Sequence, residues 1–506
     1  MDQHYYESLV KRLEVDATVD PGPFRRKVIL ISSTAYAVMF GVLGALAALL
    51  YFGITFSYAR HSMVTLIKLG LFAVVMVPVF FVVLRMFFMR LPPPEGRFLQ
   101  PHEAPKLFDV LRKMRKRLKG PQIHHVVIDD AYNAAIFQRP RWGLFGGHTN
   151  YLILGLPYML SATPKEMLAV VGHEYGHLCG NHGKVTAWIY RQRRTFGALY
   201  NQIADSADDN WVHAGMASML NKFMPYYNAH TFVLSRQNEY EADQTATELV
   251  GAAANASGLV RGALLAPWIG EEFWPTLYCQ ANNAAKPVFL PFNAMRTAFK
   301  ASYATWATKE RLDVAWSEKS DLHDTHPALR ERIEAIGEAA SLPACVEVTS
   351  AEALLGATAR TIIDEFDRNW WEKEKPDWTA RHQYVTRSKT RLQELNAQAL
   401  DALKLADLQE HAMLSAEFSK PAAAKVVLEH LLRQPGGPFP LASYRYGCIL
   451  LEENSDSGLD HLTSAASSDR SLIDAAARTG YAYLYEKHGE DRAQHWWDKI
   501  MPSQTE

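Results

Sequence analysis

The sequence predicts a mainly α-helical chain in three parts: an N-terminal transmembrane helical hairpin, a domain of helices with a small β-sheet, and a C-terminal domain resembling helical repeats. Three observations predict it. Two long apolar stretches stand near the N-terminus, one capped helix in the middle carries a metal-binding pattern, and short helical segments with small residues follow one another to the end. The corresponding boundaries are 1–27 for a cytoplasmic N-terminal segment, 28–90 for two membrane helices, 91–345 for the central domain and 346–506 for the C-terminal one.

The 506 residues exceed what one ordinary core accommodates, so more than one domain is expected. The 53 basic and 54 acidic side chains leave a net charge of -1, which supplies no field for nucleic acid. Cys179, Cys279, Cys345 and Cys448 lie far apart without a C-x-x-C pair, so neither a disulfide framework nor a cysteine zinc site is expected.

Residues 28–56 carry no charged side chain, and about 20 apolar residues suffice to cross a bilayer. A signal peptide has a shorter apolar region, so this stretch reads as an uncleaved anchor. Residues 64–88 contain only Lys68 and Arg85 near the ends, from where long side chains snorkel to headgroups. Arg25, Arg26 and Lys27 precede the first stretch and Arg85 and Arg90 close the second, which favours a two-span protein with both ends, and the central domain, in the cytoplasm. The lipid bilayer is then a partner. Leu91-Pro92-Pro93-Pro94 cannot continue a helix and marks the exit.

Residues 161–193 read as one helix, started by Thr163-Pro164-Lys165-Glu166 with an N-cap, a proline at the first position and a capping-box acid. It carries His173-Glu174-Tyr175-Gly176-His177. A spacing of four puts both imidazoles on one face, one turn apart, where they reach the same ion. Glu174 then sits beside the metal as the general base for water. A catalytic zinc needs a third protein ligand and an open position, and no third histidine follows closely. The candidate lies in a second helix beginning near Leu234, where Glu239 and Asp243 share a face and Glu241 points away. Asp243 is placed to accept the free N–H of a metal-bound histidine. A solvated acidic face is the other reading of this segment.

Three blocks, His173-Glu174-Tyr175-Gly176-His177, then Ser235-Arg236 with Glu239-Tyr240-Glu241-Ala242-Asp243, then Thr325-His326-Pro327 with Arg332-Ile333, resemble the motif set of the HtpX-like and CAAX-prenyl-protease family of membrane zinc metallopeptidases. The resemblance runs from about Pro101 to Gly337. It implies one zinc ion per chain held by His173, His177 and Glu239, a gluzincin-type protease domain, and polypeptide substrates, membrane proteins among them. It also implies that His326 and Arg332 stabilise the transition state or stand behind the ligands; on residues alone, that block reads as the loop before a helix. His125 to Asp129 and Tyr151 to Leu154 read as short strands. Between them, Asn133-Ala134 resembles the family's residues on the edge strand that binds substrate backbone, and a loop asparagine is the alternative.

The chain departs from those relatives between the two motifs. Arg191, Arg193, Arg194, Asp205, Asp208, Asp209 and Lys222 leave no window there apolar enough to cross a membrane, and Met216 to Leu234 reads as helical core, the alternative being a segment that lies against the membrane or covers the cleft. Beyond residue 350 the segments 442–453, 458–467 and 473–488 suggest paired helices similar to tetratricopeptide repeats, a surface for a protein partner. The function expected is membrane-anchored zinc metalloendopeptidase in membrane-protein quality control or processing. Two rivals are a zinc-containing membrane scaffold and a chaperone-like binder. Glu174 between the histidines argues against the scaffold, since a structural zinc site needs no base; an activity assay separates the binder.

Overall fold

Apolar residues recurring at helical spacing carry most of the chain into helices, and among the described residues β structure is confined to one sheet. The computed structural model describes residues 3–60, 92–142, 145–179, 211–320 and 326–501, with Ile189 and scattered positions between 63 and 81. The chain divides into two compact units, residues 1–277 with 289–373 and residues 278–288 with 374–506.

The first unit starts with α1 (Gln3–Val19) and α2 (Pro21–Arg60). The stretch 28–56 lies within α2, whose beginning is committed to protein packing: Phe24 and Val28 are buried with Phe232 and Val233. Further on, Phe52 and Phe56 are exposed and Gly53 lies against Leu69. Some side chains of this helix, and most of residues 78–91, fall outside the described residues. Among the described residues no helix is long and apolar enough to cross a membrane. That finding corrects the expected transmembrane hairpin and the two-span integral membrane protein with a cytoplasmic site.

The site domain begins with strand β1 (Arg97–Leu99) and helix α3 (Pro105–Leu118), which buries Leu107, Leu111 and Met114 one turn apart. Strands β2 (His125–Asp129), β3 (Ala134–Trp142) and β4 (Phe145–Gly155) complete a mixed sheet in the order β1-β2-β4-β3. β2 and β4 pair in parallel, Val126 opposite Leu152, while β3 runs antiparallel to β4 on the edge, Ile136 opposite Leu152. Gly155 N–H donates to the Asn133 carbonyl at 2.8 Å, so odd-numbered backbone groups of this strand face β4 and even-numbered ones face outward. Pro140, which has no N–H to offer a neighbour, sits at an outward position.

The short buried helix α4 (Leu156–Ser161) leads into α5 (Pro164–Cys179). The capping box is formed: Glu166 N–H donates to Thr163 Oγ1 at 3.3 Å, and Thr163 N–H to Glu166 Oε2 at 2.8 Å. The same carboxylate accepts Arg261 Nε at 2.9 Å and Arg261 Nη2 at 3.0 Å, a bidentate pair with both side chains almost fully buried. Residues 180–188 and 190–193, the rest of the expected helix, fall outside the described residues. The second motif helix does not begin near Leu234 but runs unbroken as α6 (Trp211–Val250), with Met224, Tyr227 and Phe232 buried as helical core. It is followed by α7 (Ala252–Trp268), α8 (Pro291–Ala301) and α9 (Leu329–Ile336).

The chain continues in α10 (Thr358–Asn396). In the second unit α11 (Leu405–Phe418) packs on α12 (Pro421–Leu432), α13 (Pro440–Glu452) on α14 (Ser457–Ser468), and α15 (Ile473–His488) on α16 (Glu490–Ile500). Gly447 and Gly458 meet so closely that a Cβ on either would strike the other's carbonyl oxygen. This is the pairing of helices through small residues that the segment pattern predicts. All four cysteines are free.

Candidate active site

Two helices bring the chemistry together because small residues let them approach. A Cβ on Gly176 of α5 would stand 3.0 Å from Ala242 Cα of α6, and one on Gly172 would stand 3.0 Å from Leu249 and 3.4 Å from Ala246 Cα. Gly172 and Gly176 on one helix, Ala242 and Ala246 on the other, form a seam at a spacing of four. The seam holds the histidine helix and the glutamate helix at the separation their side chains bridge. The motif glycine therefore has a packing reason that the five-residue pattern alone does not reveal. We predict that Gly176→Val lowers stability by about 1–3 kcal/mol, the usual cost of overpacking, and loosens metal retention. Denaturant unfolding with metal analysis checks it, and unchanged values for both would refute the seam.

His173 Nε2 and His177 Nε2 lie 3.2 Å apart, with their rings perpendicular. Glu239 reaches between them: Oε2 is 3.3 Å from His173 Nε2 and Oε1 is 3.3 Å from His177 Nε2. Glu239 is 3% exposed, and its Oε2 accepts no hydrogen bond of good geometry. Two imidazole nitrogens and both oxygens of one buried carboxylate thus converge. Ligand atoms of His173, Glu174 and His177 also lie within 4.8 Å of one another. We prefer Glu239 over Glu174 as the third donor, because Glu174 Oε2 is turned to accept the Ile136 N–H of β3 at 3.0 Å.

Behind His173, Asp243 Oδ1 lies 2.8 Å from Nδ1, placed to accept that nitrogen's proton and to turn Nε2 towards the other donors. Arg332 of α9 holds Asp243 through both oxygens, Nε to Oδ2 at 2.8 Å and Nη2 to Oδ1 at 2.6 Å. Arg332 therefore stands behind the histidine, on the aspartate. His326 is on the open side: its side chain is 57% exposed and its Nε2 is 3.8 Å from Glu239 Oε2. Asn133 immediately precedes β3 and Ala134 opens it, two residues before Ile136, and the Asn133 side chain accepts the Ala134 N–H at 2.8 Å. Thr325 lies outside the described residues.

The electrostatics follow from burial and these partners. Burial raises the Glu174 carboxyl above its usual range, opposed by the His173 charge and the Ile136 N–H. For His173, burial works against the imidazolium but the Asp243 and Glu239 carboxylates prevail, pushing it up to about 9. Burial and the neighbouring His173 charge push His177 down to about 3. Glu239 is brought down to about 2, its burial outweighed by the two histidines. Asp243 is held well below the carboxylate range, its burial outweighed by Arg332 and His173.

A helix presenting His-Glu-x-x-His, with a buried carboxylate from a second helix and a sheet edge alongside, defines a metallopeptidase. Residues 104–340 match the model of peptidase family M48. No curated protein matches the chain. Sequence reasoning missed two contributors, the Ile136 N–H and the Gly172/Gly176 seam. The seam had a signal, small residues four apart on both helices; the Ile136 contact is a backbone group and had none.

Proposed function

We propose that the chain is a zinc-dependent endopeptidase in which His173, His177 and Glu239 hold the ion and Glu174 is the general base. The observation that carries the reading is the convergence of these donors. Ligand atoms at about 2.0–2.1 Å from a tetrahedral zinc stand about 3.3 Å from one another; the two imidazole nitrogens are 3.2 Å apart, and each has one oxygen of the Glu239 carboxylate 3.3 Å away, Oε2 for His173 and Oε1 for His177. Two imidazoles and one carboxylate also suit zinc and leave its fourth position open.

When bound, the ion lowers the pKa of a water towards about 7 and polarises the scissile carbonyl. Asp243 keeps the His173 proton on Nδ1, and Arg332 fixes Asp243 in turn. Glu174 takes the water's proton on a carboxyl oxygen and returns it to the leaving amine. An extended substrate aligns along the outward edge of β3, where the Ala134 carbonyl and the backbone of Gln138 offer a strand's hydrogen bonds on either side of the Ile136 N–H that Glu174 engages. A strand that continues to both sides of Ile136 favours internal cleavage over trimming of an end. Asn133 sets the start of that edge. His326, on the exposed side, donates to the oxyanion that develops on the substrate.

The expected result of metal removal is complete: a chelator abolishes hydrolysis of an unstructured peptide, and zinc restores it. Product masses should reveal internal cuts. Activity that survives full chelation overturns the metal reading, and products shortened only at an end overturn the endopeptidase reading.

A further inference from the structure

Arg236 lies one turn before Glu239 on α6 and takes no part in the chemistry above. Its Nη1 donates to Glu14 Oε1 of α1 at 2.7 Å, with the arginine side chain only 13% exposed. The guanidinium also lies over the Phe232 ring, 5.0 Å from its centroid. The next residue, Gln237, donates Nε2 to the Ala17 carbonyl of α1 at 3.3 Å. Around these polar contacts Leu9, Leu13 and Ala17 of α1 are buried in one cluster with Ala229, Phe232 and Val233 of α6. The N-terminal helix therefore grips the turns of α6 that lead into Glu239, while α5 grips the turns that follow it.

The grip has mechanical consequences because α6 contains Pro225. A proline inside a helix removes one backbone hydrogen bond and favours a bend, so the turns before it do not fix the rotation of the turns after it. A metal ligand tolerates displacements of only about 0.2 Å. One turn of α6 must therefore be held from outside, and the polar contacts that hold it on this side come from α1, with Phe24 and Val28 of α2 packed beside them. We propose that α1 is a strap whose Glu14–Arg236 ion pair sets the position of α6 and so holds Glu239 within reach of His173 and His177, which makes Arg236 a positioning residue for the metal. The inference rests on Glu239 being a ligand.

Charge exchange in the full-length chain tests it. Arg236→Glu and Glu14→Arg are each expected to weaken zinc retention against a competing chelator by about tenfold, with Glu14→Gln as a milder break at the more exposed partner. The double variant Glu14→Arg/Arg236→Glu is expected to recover most of that loss, since a reversed pair restores the contact. Hydrogen exchange of residues 229–243 is followed in parallel in the metal-free protein, where single variants should exchange faster and the double variant should regain protection. Single variants with wild-type zinc retention and wild-type exchange overturn the strap, as does a double variant no better than the worse single one. If the wild-type chain holds no zinc, the ligand reading fails, and the claim that the strap serves the metal fails with it. The exchange pattern then decides separately whether the ion pair fixes α6.

Discussion

Glu174→Gln should lower kcat by about 10²–10⁴-fold, the range a positioned general base contributes, while zinc content remains that of the wild type. The substitution keeps the shape of the side chain and its acceptor for the Ile136 N–H, seen at 3.0 Å, but removes the group that takes up a proton. Glu239→Ala should behave differently. It deletes the carboxylate whose two oxygens each stand 3.3 Å from one imidazole nitrogen, leaving two imidazoles that hold an ion more weakly, so zinc is lost and activity with it. Glu241→Ala, two residues further along the same helix, serves as the control and should retain both. Metal analysis and single-turnover kinetics on the three purified variants separate these outcomes. Zinc lost from Glu174→Gln and kept by Glu239→Ala would reverse the assignment of base and ligand.

How much of this site was legible in the sequence depends on the range of the interaction. His173, Glu174 and His177 were legible because helix periodicity alone puts i and i+4 on one face. Glu239 and Asp243 were legible only as a pair sharing a face; that this face meets the histidines depends on Gly172, Gly176, Ala242 and Ala246, whose contact joins segments about seventy residues apart. Glu166 shows the same limit. Its capping box with Thr163 is local and could be read from four residues, but its buried pairing with Arg261 joins positions 95 apart and has no local signature. Strands β2 and β4 announce themselves by apolar β-formers, whereas β3, with Gln138, Arg139 and Pro140, does not, because an edge strand needs neither two apolar faces nor a full set of N–H donors. The N-terminal misreading has a related origin. Periodicity and apolar length say that a helix forms over residues 28–56, but not what covers its beginning, and Phe24 and Val28 turn out to pack on α6.

The second large effect is expected at Asp243, where two consequences of one deletion can be separated. Asp243→Ala leaves the Arg332 guanidinium, whose side chain is only 14% exposed, without its bidentate partner, and breaking a buried pair from one side costs about 3–5 kcal/mol. The same deletion removes the acceptor from His173 Nδ1, and loss of such a partner weakens metal affinity by about 10–100-fold. The first cost belongs to the stranded cation and the second to the free ring. Arg332→Met added to Asp243→Ala removes the stranded charge while leaving His173 just as unsupported, so the double variant should regain much of the lost stability and none of the zinc affinity. Arg332→Met alone should lose less affinity than Asp243→Ala, because the Asp243 carboxylate still accepts from the histidine. Denaturant unfolding of the metal-free proteins reads the stability, and chelator competition reads the affinity. If the double variant recovers both together, Asp243 acts on the metal only by holding Arg332, and the histidine is oriented by something else.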